Sequence, residues 1–445
     1  MLKNRKKFSY PRVLMLGFGL IILLGTVLLC LPISSGSGEW SDPINCLLTA
    51  TSATCVTGLV AYDTFTHWSL FGQLVIITLI QIGGLGFMTF ISMFAMFLKK
   101  KISLRERLLL MQSSGSMQLE GVQKLIRHIL LGTLFFEGVG AAVFAIRFIP
   151  KYGFWEGIYT SVFHSISAFC NAGFDLMGKE APFSSLSTYS DDPLVLITVM
   201  LLVVIGGLGF IVWSDIKHHR LHFKRYSLHS KIVLITTTVL LLGGTAFFYC
   251  SEGVAMSGMS VGERLLNAAF QSVTLRTAGF NTIDQTALSG GGSILSMIFM
   301  LIGGSPASTA GGVKTATVAV VFITAVAATR NRREVEVMKK QLSANIIRQA
   351  FAVLMIYITV TFAAAILLSF TESAGMRTIF YEVTSAIGTV GVTMGLTTKL
   401  SVFGRLLITA LMFFGRIGGL SLAMAFSEDR PEPPLQRPKE NILIG

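Results

Sequence analysis

Ala53-Thr54-Cys55-Val56-Thr57-Gly58-Leu59, Ala168-Phe169-Cys170-Asn171-Ala172-Gly173-Phe174, Thr274-Leu275-Arg276-Thr277-Ala278-Gly279-Phe280 and Ala386-Ile387-Gly388-Thr389-Val390-Gly391-Val392 align as four copies of one short tract. Each follows an apolar stretch of about ten residues and ends in a glycine with an apolar neighbour. The glycines lie 115, 106 and 112 residues apart, and each interval holds one outgoing apolar span, one basic loop and one incoming span. A repeat of that size and order is a whole structural unit. A second register accompanies the first: Ile82-Gly83-Gly84-Leu85-Gly86-Phe87, Ile205-Gly206-Gly207-Leu208-Gly209-Phe210, Ile302-Gly303-Gly304-Ser305 and Ile417-Gly418-Gly419-Leu420. Glycine pairs in apolar helices let backbones approach closely, so these positions are assigned to helix packing or kinking.

Between the tracts the solvent is lipid. The chain is 52% hydrophobic and 13% charged, against about 45–50% and about 25% in soluble domains. A spanning helix needs about 20 apolar residues, and eight stretches qualify: 11–31, 71–98, 128–148, 193–214, 231–250, 293–328, 349–370 and 401–426. The first follows Lys3, Arg5, Lys6 and Lys7 in the manner of a signal peptide, but no small-residue cleavage site follows Cys30-Leu31-Pro32, and the repeat uses this segment as a span.

The net charge of +13 reads as topology, with no nucleic-acid partner implied. The N-terminus, residues 99–127, 215–231, 330–348 and the tail hold 26 of the 36 Lys and Arg, whereas loops 32–70, 149–192, 251–292 and 371–400 hold six, together with 13 acids. By the positive-inside rule the basic set is cytoplasmic. Both termini are then inside, and the acidic outer face concentrates cations. Cys30, Cys46, Cys55, Cys170 and Cys250 lack metal-ligand spacing and read as small packing residues. His218, His219, His222 and His229 read as a solvated face of a basic loop.

The ten-residue stretches read as half-helices entering from outside. Ser41-Asp42-Pro43 offers a polar cap with proline at the first turn, and Ser260-Val261-Gly262-Glu263 fits a capping box. Each half-helix stops at its tract, and irregular backbone at membrane depth is tolerated only where it is buried or lines a watery cavity, so the tracts belong around one shared axis. Rings of backbone carbonyls replace the hydration oxygens of a potassium ion. Glycine lets the chain turn those carbonyls inward through φ > 0, and the C-terminal ends of half-helices add partial negative charge. The expected fold is an all-α membrane protein of eight transmembrane helices in four tandem helix–pore loop–helix repeats around one pseudo-four-fold pore. Its units are 1–98, 99–214, 215–328 and 329–426, followed by a cytoplasmic tail, 427–445.

From the first span to the tail, these features resemble the Ktr/Trk/HKT superfamily of potassium transporters, and within it the membrane subunits of bacterial Ktr systems. The tract Thr389-Val390-Gly391-Val392 is also similar to the Thr-Val-Gly start of potassium-channel filters. By position, the resemblance places the ion-binding residues at Thr57, Gly58, Ala172, Gly173, Ala278, Gly279, Val390 and Gly391. Each tract keeps one aligned glycine with differing neighbours, which implies fewer ordered carbonyl rings than in a symmetric channel and weaker selectivity against sodium. The resemblance also implies K+ as the transported ion with a possible role for Na+, sodium-stimulated transport, a homodimer in the bacterial cell membrane, and a cytoplasmic nucleotide-binding (KtrA-like) regulatory ring. No organic cofactor is expected.

Two further features point to a gate. Within 293–328 the run Gly303-Gly304-Ser305-Pro306-Ala307-Ser308-Thr309-Ala310-Gly311-Gly312-Val313-Lys314 is too rich in glycine, proline and hydroxyls to stay helical. It sets this span apart from its siblings, and Val313 between Gly312 and Lys314, with no preceding strand, excludes a Walker motif. The resemblance implies that the segment blocks the cytoplasmic side of the pore. Arg416, mid-way along the last span, costs about 2.5–3.5 kcal/mol or more at that depth. It reads as a pore-facing electrostatic barrier or a structural pairing, and the resemblance favours the barrier. Glu137 is the other mid-span charge, with no partner legible.

The rival reading is a sodium-coupled secondary transporter with a midplane site, but those folds use inverted or two-fold repeats, whereas here four units share one orientation. An intramembrane enzyme lacks support, because no paired acids, zinc spacing or serine–histidine partnership is found. Sodium or ammonium remain alternative ions for a pore.

Overall fold

The computed structural model describes residues 10–86, 122–220, 222–332 and 334–419. The N-terminal basic cluster, most of the basic loop 99–127 and the tail lie outside the described residues. One element order recurs around each tract. The first unit contains α1 (Tyr10–Cys30), the half-helix α2 (Pro43–Cys55), a one-turn α3 (Thr64–His67) and α4 (Leu70–Leu85). The second contains α5 (Val122–Tyr152), α6 (Phe154–Phe169), α7 (Pro193–Gly207) and α8 (Phe210–His219). The third contains α9 (Leu228–Ser251), α10 (Val261–Thr274), α11 (Gly290–Leu301) and α12 (Thr315–Thr329). A small hairpin of β1 (Glu336–Val337) and β2 (Lys340–Gln341) leads to the fourth, which contains α13 (Ala344–Thr371), α14 (Met376–Gly388) and α15 (Val402–Ile417).

Among the described residues four helices, α1, α5, α9 and α13, are long and apolar enough to cross a bilayer, and the α7–α8 pair makes a fifth if counted as one bent span. Three of the shorter helices end at or next to a left-handed glycine. Gly86, Gly209 and Gly418 take φ of 85°, 92° and 89° where α4, α7 and α15 end, and α8 leaves α7 at 94°. Left-handed backbone suits a residue without Cβ. Segment 293–328 unwinds between α11 and α12, over residues 302–314, and among the described residues the α7–α8 pair breaks as well.

Two of the half-helices, α2 and α10, start on side-chain caps, whereas α6 and α14 start on glycines without one. The Asp42 carboxylate accepts from the Ile44 amide ahead of α2, with Pro43 at the first position. Ser260 Oγ accepts from Glu263 N at 3.3 Å, and the Glu263 carboxylate accepts from Ser260 N at 2.7 Å, which makes a complete capping box on α10. Packing then runs in a closed circuit. Each half-helix packs on the long helix of its own unit, and the second helix of each unit packs on the half-helix of the next: α4 on α6, α7 on α10, α11 on α14, and α15 back on α2. Small residues permit these crossings. A Cβ at Gly83 would strike Thr54 O, one at Gly206 Phe169 O, and one at Gly415 Ile387 O, all in the last turns of the half-helices. The fourth glycine register thus shifts by one turn from the sequence alignment: Gly415 matches Gly83 and Gly206, and Gly418 matches the break glycines 86 and 209.

Removing the capping box by Ser260→Ala is expected to destabilise the protein by about 1 kcal/mol, read as a lower midpoint of thermal unfolding in detergent.

Candidate functional site

The circuit brings Gly58, Gly173, Gly279 and Gly391 together at its centre. Their φ angles are 96°, 68°, 86° and 96°, and the residues two positions earlier, Val56, Asn171, Thr277 and Thr389, are also left-handed at 51°, 58°, 67° and 52°. The space beside each glycine is filled by the carbonyl of the residue preceding the next unit's glycine. A Cβ on Gly58 would lie 2.7 Å from Ala172 O, one on Gly173 2.7 Å from Ala278 O, and one on Gly279 2.7 Å from Val390 O. On Gly391 it would collide with Thr57 O, which closes the ring. The eight residues singled out as ion ligands are thus the glycines of this ring and the residues whose carbonyls pack on them.

Hydroxyls behind the ring hold the tracts in two patterns. Ser52 Oγ accepts from Gly58 N at 3.0 Å and Ser385 Oγ from Gly391 N at 3.1 Å, whereas Ser167 Oγ donates to Phe174 O and Thr274 Oγ1 to Phe280 O, each at 2.6 Å. On one side the ring opens into a cavity of about 300 Å³ lined by the four glycines, Asp63, Asp175, Asn281, Thr393, Thr397 and neighbours. Burial pushes the Asp175 carboxyl up to about 7; Asp63 nearby adds to the shift, and the Met177 amide opposes it.

On the other side lies the unwound segment 302–314. Its ends are clamped, with Gly303 N donating to Val313 O at 2.9 Å and Val313 N to Leu301 O at 3.1 Å. Ser305 N donates to Gly207 O at 2.9 Å, Thr309 N to Gly206 O at 3.3 Å, and Phe210 N to Ala307 O at 2.8 Å, so the loop rests on the break between α7 and α8. Ala307 and Gly312 are left-handed, at 55° and 65°. Thr309 Oγ1 donates to Asn171 Oδ1 at 3.1 Å, which joins the loop to the second tract, and a Cβ on Gly311 would strike Thr389 of the fourth. Gly303 and Gly304 leave room for Gly311 and Ala310 across the loop, while Ser308 Oγ donates to Ser305 O at 2.7 Å and Pro306 O lies beside Gly209. The Arg416 guanidinium bonds Thr309 O in the loop and the Gly83 and Gly84 carbonyls at the end of α4. A cation at a helix C-terminus is electrostatically favoured. Of the two roles weighed for Arg416, the structure displays a hydrogen-bonded tie between loop and helix end.

Lys314, which closes the run, was assigned no role from the sequence; its Nζ donates to Ala310 O at 2.7 Å and Gly311 O at 3.4 Å, so it is a second cation bound to the loop. Glu137 has a partner after all: Gln81 Nε2 lies 3.1 and 3.3 Å from its two oxygens, a contact between units that no local pattern announces. The five cysteines are free, with Cys46, Cys55 and Cys170 buried and Cys250 exposed. Among the described residues no His, Cys, Asp and Glu group fits a metal centre.

Comparison with known proteins gives this geometry a lineage. The family model "TrkH: Cation transport protein" matches residues 26–437. The chain belongs to the TrkH/Ktr family of cation transport proteins. It is 40% identical to the potassium/sodium uptake protein NtpJ of Enterococcus hirae over 99% of this chain and 98% of that one. It is 39% identical to the Ktr system potassium uptake protein B of Bacillus subtilis, over 99% and 97%, and 36% to that of Vibrio alginolyticus, over 100% and 96%. The crystal structure of the potassium transporter TrkH from Vibrio parahaemolyticus superposes with a TM-score of 0.73 at 15% identity, covering 95% of this chain and 86% of that one, so the TrkH fold is shared. This TrkH/Ktr chain is accordingly a multi-pass membrane protein.

Gln81→Leu leaves the buried Glu137 carboxyl without its Gln81 donor and is expected to cost about 2 kcal/mol. In detergent melts, Gln81→Leu/Glu137→Leu should recover most of that loss.

Proposed function

We propose that this protein takes up potassium across the cell membrane through a filter made by Thr57, Gly58, Ala172, Gly173, Ala278, Gly279, Val390 and Gly391. In this reading the chain has eight spans in four tandem repeats about one pseudo-four-fold axis, with both termini cytoplasmic. The observation that carries the proposal is the closed ring of left-handed glycines, each packed against the next unit's carbonyl. Carbonyl oxygens converging from four sides replace the water around a cation, and four half-helix C-termini ending there each add partial negative charge. The names of the relatives point to potassium, and that of the Enterococcus hirae protein also to sodium.

The segment Gly303–Gly312 is the gate. It is held beneath the filter by Thr309 and tied by Arg416 to α4, so the closed state depends on a few bonds to an irregular loop. Opening requires that loop to move and Arg416 to exchange partners. The relatives named as B components of Ktr systems support a second component. We assign that role to a cytoplasmic nucleotide-binding ring seated on a homodimer of this chain, with sodium stimulating flux.

Purified protein in liposomes is expected to take up Rb+ and K+ in preference to Na+, and uptake without that preference would contradict the filter. Gly391→Ser puts a side chain against Thr57 O at φ 96°, and it is expected to lower the K+ over Na+ preference about tenfold or more, equivalent to about 1.4 kcal/mol of differential binding. Deleting residues 305–312 is expected to raise basal Rb+ flux in the absence of any partner; an unchanged flux would remove the gate assignment.

A further inference from the structure

Behind the fourth tract lies a carboxylate that the filter reading does not use. Glu382 sits on α14 with no exposed surface. Its two oxygens are taken by two hydroxyls: Thr393 Oγ1 donates to Oε2 at 2.6 Å, and Thr397 Oγ1 donates to Oε1. None of the ion pairs among the described residues involves it. A buried carboxylate with no cation partner is costly. What these bonds hold is the strand leaving the filter. Thr393 lies two residues after Gly391, its Oγ1 also accepts from Gly395 N at 3.0 Å, and Thr393, Gly395 and Thr397 line the same 300 Å³ cavity as the four glycines.

The position has a counterpart in every unit, nine residues before the tract glycine, and the four differ. They are Thr49, His164, Phe270 and Glu382. Thr49 Oγ1 donates within its own helix to Asn45 O at 2.8 Å, and Phe270 is apolar. His164 reaches its exit strand, where Leu176 N approaches Nε2 at 3.4 Å. Of these four residues only Glu382 is a carboxylate, and its oxygens are held by hydroxyls of residues lining the mouth. Selectivity by backbone carbonyls depends on holding them to about half an ångström, which is set by the groups supporting them.

We propose that Glu382, acting through Thr393 and Thr397, is the positioning residue that fixes the fourth strand of the filter and thereby sets discrimination between potassium and sodium. The inference rests on the potassium-filter reading. It makes the filter's precision asymmetric, with the fourth unit contributing most.

The test is Rb+ and Na+ uptake, with the half-saturating K+ concentration, in liposomes holding equal amounts of folded protein. Glu382→Ala and the double variant Thr393→Val/Thr397→Val are expected to lower the K+ over Na+ preference about tenfold, the factor matching one lost charge-assisted hydrogen bond. Glu382→Gln keeps one acceptor oxygen and should fall between these and the wild type. A merely structural role would reduce uptake of both ions in proportion and leave the ratio alone. Unchanged ratios in the variants, with a selective wild type, would overturn this inference. A wild type with no preference would instead sink the filter reading. Should Glu382→Ala fail to fold, the double threonine variant, which leaves the carboxylate in place, still decides.

Discussion

Four backbones meet at the centre of this protein at a distance that no side chain allows, and the rest of the fold is arranged to hold them there. Each tract glycine occupies a left-handed conformation with the next unit's carbonyl where its Cβ would stand. Backbone held in that region is costly for other residues, so it persists only where the surroundings over-determine it. Here they do. The half-helices end at the ring, the second helices lie across those ends with glycine at the crossing, and serine and threonine hydroxyls fasten the tracts from behind.

The same constraint links the centre to the loop beneath it. Because α7 breaks at Gly209, its terminal carbonyls at Gly206 and Gly207 are free to accept from Thr309 and Ser305. At the end of α4, the Gly83 and Gly84 carbonyls accept from Arg416, which also holds Thr309 O. Helix ends are therefore what the loop binds to. Arg416 is bonded to that loop, and in the proposed reading this couples the position of the loop to the electrostatics of the path below the filter.

Much of this is readable from residues. The tracts were legible because left-handed backbone at close approach leaves glycine as the usual solution, and the capping box was legible because Ser260 and Glu263 sit three residues apart. The unwinding of 302–314 followed from its glycines, proline and hydroxyls. Other features depend on contacts across the chain. Gln81 and Glu137 are 56 residues apart, and Thr309 and Arg416 are 107 apart. The register of the last helix was ambiguous because Gly415-Arg416-Ile417-Gly418-Gly419 offers three glycines, and only the contact of Gly415 with Ile387 O identifies the crossing. Glu382 drew no notice because a glutamate in a short amphipathic helix looks like a solvated face until its burial is known.

The central claim is that a dehydrated cation rests among the carbonyls of the ring. Thallium(I), a potassium substitute with a strong anomalous signal, tests it directly in crystals of this protein grown with thallium and then exchanged into sodium. The account predicts anomalous density on the axis between Gly58, Gly173, Gly279 and Gly391, lost or weakened after exchange. Thallium density only elsewhere, with none on that axis, would contradict it.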